Sequence, residues 1–152
     1  MSHAPHIVCG RCGQTNRVAA DKPALKARCG ACHELLFGGH PIEVDQAAFE
    51  RHRERNDIPV LVDVWAPWCG PCRAMAPMFE RAASTLEPEV RLLKLNSDQA
   101  PEVSARLGIR SIPTMLLMKS GRVLARTSGA MSAEQIVAWT RSNLSASHAA
   151  GR

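Results

Sequence analysis

Between Val60 and Trp65 the chain reads Val-Leu-Val-Asp-Val-Trp, an apolar run without polar alternation that is broken only by Asp63. Such a run predicts a strand covered on both faces. Val90–Asn96 predicts a second strand, and Thr114–Met118 and Val123–Thr127 predict a pair joined by the turn Lys119-Ser120-Gly121-Arg122. Helical signals lie between them. Asp45 can cap a helix through Arg53, and Cys69–Leu86 reads as a long helix bent at Pro77. Pro101–Leu107 reads as a short helix, and Ser132-Ala133-Glu134-Gln135 is a capping box for a last helix through Asn143. Helices interleaved with strands predict an α/β domain with a mixed central sheet flanked by helices.

Asp63 needs an explanation, because burying an ionised carboxylate is costly unless it is paired, hydrogen-bonded or neutralised. Six residues later, Cys69-Gly70-Pro71-Cys72 opens the long helix. A thiolate at a helix N-terminus is stabilised by unpaired backbone N–H groups and the helix dipole, so Cys69 is the expected nucleophile. Pro71 suits a first helical turn and Gly70 keeps the turn tight enough for the two sulfurs to bond. A metal site is the competing reading for this pair. It needs four ligands, and no His or Cys lies within thirty residues after Cys72. The order strand, turn, helix favours a redox dithiol.

The first forty residues are a different object. Cys9-Gly-Arg-Cys12 and Cys29-Gly-Ala-Cys32 are separated by sixteen residues, a spacing suited to a four-cysteine zinc module. The segment holds few large apolar side chains, so a metal cross-link is its expected organiser. An accessory pair of redox dithiols and unstructured free thiols are the other readings. Gly13 and His33 each follow a cysteine pair and read as turn residues with positive φ, while His3 and His6 read as a loose tail. The breakers Gly38-Gly39-His40-Pro41 divide the chain into a zinc module at 1–40 and a second domain at 41–144 that reads as complete without it. Residues 145–152, small and polar, read as a disordered tail.

Charge changes this picture little. The net charge of +5 over 152 residues invites a nucleic-acid partner. The module, however, carries Arg11, Arg17, Lys22, Lys26 and Arg28 against Asp21 and Glu34, with Phe37 as its only aromatic for base stacking. Arg51, Arg53 and Arg55, alternating with His52 and Glu54, read as a solvated helix face. Nucleic acid is therefore not an expected partner. No signal-peptide stretch and no transmembrane run is visible, so a cytoplasmic protein with no membrane partner is expected. That compartment keeps thiols reduced, which suits both metal binding and a reducing dithiol.

The segment "VDVWAPWCGPC" resembles the active-site signature of the thioredoxin family, with Trp65, Trp68, Cys69, Gly70, Pro71 and Cys72 all matching. "LLKLNSD", Leu92 to Asp98, resembles the family's central strand, and "GIRSIPTMLLMKSGRVLARTSGAM", Gly108 to Met131, its cis-proline loop and closing hairpin. With the four-cysteine module, the chain resembles the zinc-binding bacterial thioredoxins of the thioredoxin-2 subgroup. The resemblance implies a thioredoxin fold and a cytosolic protein-disulfide reductase. In it Cys69 attacks, Cys72 resolves, Asp63 is a buried carboxylate beneath the dithiol and Lys94 lies near it. Pro113 would be cis, and Trp68, Gly70, Pro71, Ile112, Pro113, Gly129 and Ala130 would line the substrate groove. It further implies one structural zinc on Cys9, Cys12, Cys29 and Cys32, a redox-active Cys69–Cys72 disulfide and no tightly bound organic cofactor. Its partners would be disulfide-containing proteins and a flavin- and NADPH-dependent thioredoxin reductase, and the protein would be a monomer. The alternative is a zinc-organised binding or redox-sensing protein whose second domain mainly docks partners.

Overall fold

The computed structural model describes residues 4–150, with side chains through Ser147. His3 and the end of the expected tail lie outside the described residues. The chain runs β1 (His6–Val8), β2 (Thr15–Arg17), β3 (Ile42–Val44), α1 (Gln46–Arg55), β4 (Val60–Trp65) and α2 (Gly70–Leu86). It continues through β5 (Arg91–Asn96), α3 (Pro101–Arg106), β6 (Thr114–Lys119), β7 (Arg122–Ser128) and α4 (Ala133–Ala150).

The main sheet has the order β3-β5-β4-β6-β7. β3, β5 and β4 run parallel, whereas β6 and β7 are antiparallel, so the sheet is mixed as the sequence predicts. β4 lies at its centre. Strand alternation divides its residues: Val60, Val62 and Val64 join Phe49 of α1 and Val103 of α3 on one face. Leu61 packs on the other with Met75 and Phe79 of α2 and Ile136 of α4. Each such fully buried side chain contributes about 1.5–3 kcal/mol of transfer free energy, which is why the apolar run has no polar alternation. Asp63 shares the α2 face with Leu61.

Local signals place the helices. The Asp45 carboxylate accepts from the Ala48 N–H at 2.8 Å, capping α1. Ser132 and Gln135 exchange the two bonds of a capping box at 2.8 and 3.1 Å. Ser120 and Gly121, both at positive φ, turn β6 into β7. α2 continues through Pro77. α4 departs from expectation, running on through 145–150 where a disordered tail was expected, because that stretch contains no Gly or Pro and is rich in alanine. β3 has only three residues, too few to show a period.

β1 and β2 form a separate two-stranded antiparallel sheet in the module. His6 is therefore not in a loose tail: its N–H donates to Asp57 Oδ2 at 2.7 Å and its Nδ1 lies 2.9 Å from the same oxygen. The module's core of Ile7, Cys9, Val18, Cys29, Leu36 and Phe37 is completed by Ile58 from the second domain. Both backbone groups of Val8 are held across the boundary. Its N–H donates to Asn56 Oδ1 at 2.8 Å, and its carbonyl accepts from Arg91 Nη2 at 2.7 Å. Arg91 also stacks on the Phe37 ring, 4.5 Å from the centroid. The α1 face read as solvated is partly this interface: His52 is buried and its Nδ1 bonds Asn56 Nδ2 at 2.8 Å. Ile58 and Arg91 lie at the start of β4 and β5, so the module docks at the end of the sheet opposite the loop that follows Trp65. β4 alone, with six residues, separates the two ends by about 20 Å.

Candidate active site and metal centre

Cys69 is the N-cap of α2, and its Sγ accepts the Cys72 N–H at 3.2 Å. The two cysteines are joined as a disulfide with their Cα atoms 5.2 Å apart. Cys69 is 6% exposed and Cys72 2%, in a small apolar cluster with Ala66, Trp65 and Ile112. Around them the predicted groove residues assemble. The Ile112 carbonyl faces Cys69 Sγ at 3.8 Å. The Ile112-Pro113 peptide is cis, as the resemblance implies, and so is Glu87-Pro88, which no sequence feature indicated. Gly129, at φ +100°, donates its N–H to the Pro113 carbonyl at 2.9 Å, and Ala130 next to it is exposed. A side chain at Gly70 would project into open space, so glycine leaves the surface beside the disulfide bare. Trp68 is 67% exposed, yet its Nε1 donates to Asp98 Oδ2 at 2.8 Å. Asp98 was not among the expected site residues, and only the fold brings it to Trp68.

Asp63 is 1% exposed and neither of its carboxylate oxygens has a hydrogen-bond partner. Burial pushes its pKa up to about 7, against the attraction of Lys94. Lys94 is its register partner on β5. The Lys94 ammonium nevertheless sits over the Trp65 ring, 4.3 Å from the centroid, and among the described residues it forms no ion pair with Asp63. A carboxyl group without a hydrogen bond, titrating near neutrality on the α2 face, is able to exchange a proton there.

The other cluster is built by repetition. In each half a cysteine N–H reaches a carbonyl beyond its pair, Cys9 to Gln14 and Cys29 to Glu34, both at 2.8 Å. In each half the residue after the second cysteine turns back: Gly13 to the Cys9 carbonyl at 3.0 Å and His33 to the Cys29 carbonyl at 2.9 Å. Both turn residues have positive φ, as the sequence predicts. Backbone N–H groups of Arg11 and Ala31 point at the sulfurs of Cys9 and Cys29, each at 3.4 Å. The four Sγ atoms lie within 4.8 Å of one another. A tetrahedral zinc with bonds of about 2.3 Å needs sulfurs roughly 3.8 Å apart, so the cage fits that ion. Its electrostatics also call for a cation. The Cys32 N–H, aided by Asn16 and Ala31, holds the Cys29 thiol down to about 6. Against the Glu34 N–H, burial and the neighbouring thiols push Cys32 up to about 12. The four cannot ionise together without a positive charge among them.

Comparison with known proteins agrees with this geometry. Residues 40–142 match the family model described as Thioredoxin, and residues 8–34 match the one described as Thioredoxin 2, N-terminal, a zinc ribbon. Thioredoxin C-3 of Corynebacterium nephridii is 41% identical over 133 residues, covering 88% of this chain and 91% of that protein. A thioredoxin of Pseudomonas aeruginosa is 39% identical over 105 residues, covering 69% of this chain and 97% of that one. The crystal structure of chloroplastic thioredoxin z superposes with a TM-score of 0.64 at 26% identity, over 70% of this chain and 96% of its own. A cis-proline loop beside a cysteine pair at a helix start, on a mixed sheet with these relatives, identifies the chain as a member of the thioredoxin family, a thiol–disulfide oxidoreductase with an N-terminal four-cysteine ribbon.

Proposed function

We propose that the protein is a protein-disulfide reductase of the cytoplasm in which Cys69 is the nucleophile and Cys72 the resolving thiol. The observation that carries this assignment is the N-cap position of Cys69, whose sulfur meets the Cys72 N–H at 3.2 Å. A donor aimed at that sulfur favours its thiolate. Cys69 thiolate attacks one sulfur of a substrate disulfide, forming a mixed disulfide and releasing the first substrate thiolate. Cys72, as thiolate, then attacks Cys69 Sγ. The mixed disulfide breaks, the second substrate thiolate leaves and the Cys69–Cys72 disulfide forms, so two electrons pass to the substrate. Asp63 takes the proton from Cys72 in the second step, with Lys94 moderating its charge; its pKa of about 7 matches that task.

The substrate segment lies in extended form against the Ile112 carbonyl side of the cis-proline loop, by strand addition, flanked by Trp68, Gly70, Pro71, Pro113, Gly129 and Ala130. A flavin- and NADPH-dependent thioredoxin reductase restores the dithiol. Cys9, Cys12, Cys29 and Cys32 hold one zinc, which supplies the cross-link that a short ribbon lacks. The protein works as a monomer on disulfide-containing proteins, without a tightly bound organic cofactor. Changing Cys72 to Ser is expected to trap substrates as stable mixed disulfides, whereas Cys69→Ser traps none. Equal trapping by the two variants reverses or removes the assigned order. The sulfur cage at the far end of the sheet favours a second reading, a zinc-organised docking or redox-sensing protein. Absence of turnover with reductase and NADPH is the result that selects it.

A further inference from the structure

The four-cysteine cage has neighbours that the module itself does not supply. Zinc held by four thiolates carries a net charge of −2, and the module meets it with neutral N–H donors from Arg11, Ala31 and Asn16. Within the module, Arg11 is engaged by Glu34 at 2.6 Å. The second domain brings two further arginines, one to each side of the first cysteine pair.

Arg51 of α1 lays its guanidinium on Gly13, the residue after Cys12. A Cβ built on Gly13 would fall 2.6 Å from Arg51 Nη1 and 3.0 Å from its Cζ, and Gly13 has φ +81°. The turn favours glycine at this point, and the closeness of the built Cβ shows how near the guanidinium lies to the chain next to Cys12. Arg51 is half-buried, and among the described residues no carboxylate forms an ion pair with it. Arg91 approaches from the other side. It donates to the carbonyl of Val8, the residue before Cys9, and stacks on Phe37. Its ion pair with Glu87 is loose at 4.0 Å, and Glu87 Oε2 has no hydrogen bond. Burial lowers Arg91 to about 10, and attraction to Glu87 and Cys9 opposes that fall, so it remains cationic near neutral pH.

We propose that Arg51 and Arg91 are the counter-charges of the module's metal, so that the reductase domain holds zinc in the ribbon from across the domain boundary. The proposal rests on the zinc reading of the cage. Groups just outside a metal's ligands orient them and offset their charge, and their loss typically weakens metal affinity by about 10–100-fold. Here the second domain supplies both the charge and the hydrogen-bond partners of the backbone of Val8, the residue preceding Cys9. The zinc affinity of the ribbon is then a property of the whole chain.

The test loads the full-length protein with zinc and follows transfer of the metal to a chromogenic chelator, giving an affinity and a release rate. Arg51→Gln is expected to weaken zinc binding by roughly 10-fold, and Arg51→Glu by more. Arg51→Lys, which keeps the charge, is expected to recover most of the loss. Added salt should narrow the gap between wild type and Arg51→Gln, since screening acts on a half-exposed charge. Arg51 is not in the buried core, so these variants stay folded, and far-ultraviolet circular dichroism checks that they do. Wild-type affinity in both Arg51→Gln and Arg51→Glu overturns the proposal while leaving the zinc reading intact. A wild-type chain that takes up no zinc overturns both.

Discussion

Asp63 and Arg91 are buried to the same degree, each 1% exposed, yet their surroundings differ in kind. Arg91 is tied on several sides. It donates to Val8, stacks on Phe37 and faces Glu87, although its buried Nε has no hydrogen-bond partner. Asp63 has no hydrogen bond to either oxygen, and the cation nearest in register is drawn onto Trp65 instead. A buried charge enclosed by partners fixes one arrangement, because every partner is lost when it moves. A buried charge without partners is held between protonation states, as sites that exchange protons require. One end of the sheet is therefore built for docking and the other for chemistry.

The largest expected effect is at the docked end. Arg91→Ala removes the donor to Val8, leaves buried Glu87 without its guanidinium and opens a cavity beneath Phe37, so stability should fall by about 3–5 kcal/mol. Denaturant midpoints of the two proteins measure it. Single-turnover disulfide reduction, counted per folded molecule, should change little, because Arg91 lies at the end of the sheet away from the dithiol. An unchanged midpoint would mean that the module merely rests on the domain. The same contacts make truncation of the module a direct test of the sequence view of residues 41–144 as complete without it. Truncation at Gly39 removes Val8 and Phe37 together and takes from the buried Arg91 and Asn56 the partners they hold across the boundary.

The next effects are opposite in sign at the two ends. Burial raises Asp63 from 3.8 to about 7, so the native state holds this proton more tightly than the unfolded chain does. Its contribution is favourable below 3.8 and is lost as pH rises to about 7, an amount on the order of 4 kcal/mol. His52 behaves in reverse. Burial, then Arg91 and Arg51, lowers it from 6.5 to about 3, so the native state resists protonation. Its contribution is complete above 6.5 and is lost as pH falls toward 3, roughly 2 kcal/mol of it by pH 5. The two slopes oppose each other between about pH 4 and 6.5. Asp63→Asn should unmask the His52 slope, giving a protein more stable than wild type at pH 7.5 whose advantage shrinks in acid, and should slow the resolving step. Midpoints measured from pH 4 to 8 decide the matter, and a variant no more stable at pH 7.5 sinks the account of Asp63 as an unpaired buried carboxylate.

This contrast also marks what the sequence makes legible. Asp63, the CGPC turn, the Asp45 cap, the Ser132–Gln135 capping box and the cysteine spacing are local signals. An apolar run, a helix start or a fixed interval states its own constraint, and the structure keeps the α/β order and both turn residues Gly13 and His33. Arg91, His52 and Asn56 carry no such mark. An arginine beginning a strand and a histidine between arginines on a helix look solvated until the module is laid over them, and Arg91 lies 83 residues in sequence from Val8, the residue it holds. β3 is invisible in the sequence because three residues show no period, and α4 runs on to Ala150, into the expected tail at 145–152, because small polar residues serve a helix as well as a coil.

The smallest expected effect lies at the chemical end and separates recognition from stability. Trp68 is 67% exposed, so its bond to Asp98 at 2.8 Å is made in competition with water. Such a bond contributes about 0.5–1 kcal/mol, and Asp98→Ala should move the denaturation midpoint by no more than that. Its consequence is in orientation. An exposed indole fixed by its ring nitrogen presents one flat apolar face beside the disulfide, whereas a freed indole samples several rotamers and must be ordered again when a protein docks. Asp98→Ala should therefore raise KM for a protein disulfide severalfold while leaving kcat, and the reduction of a small aromatic disulfide reagent, close to wild type. Asp98→Asn, which keeps an acceptor oxygen, should recover most of the KM. A change in kcat without a change in KM would show instead that Asp98 acts on the reacting sulfurs, and the division between a docking end and a chemical end would have to be redrawn to include it.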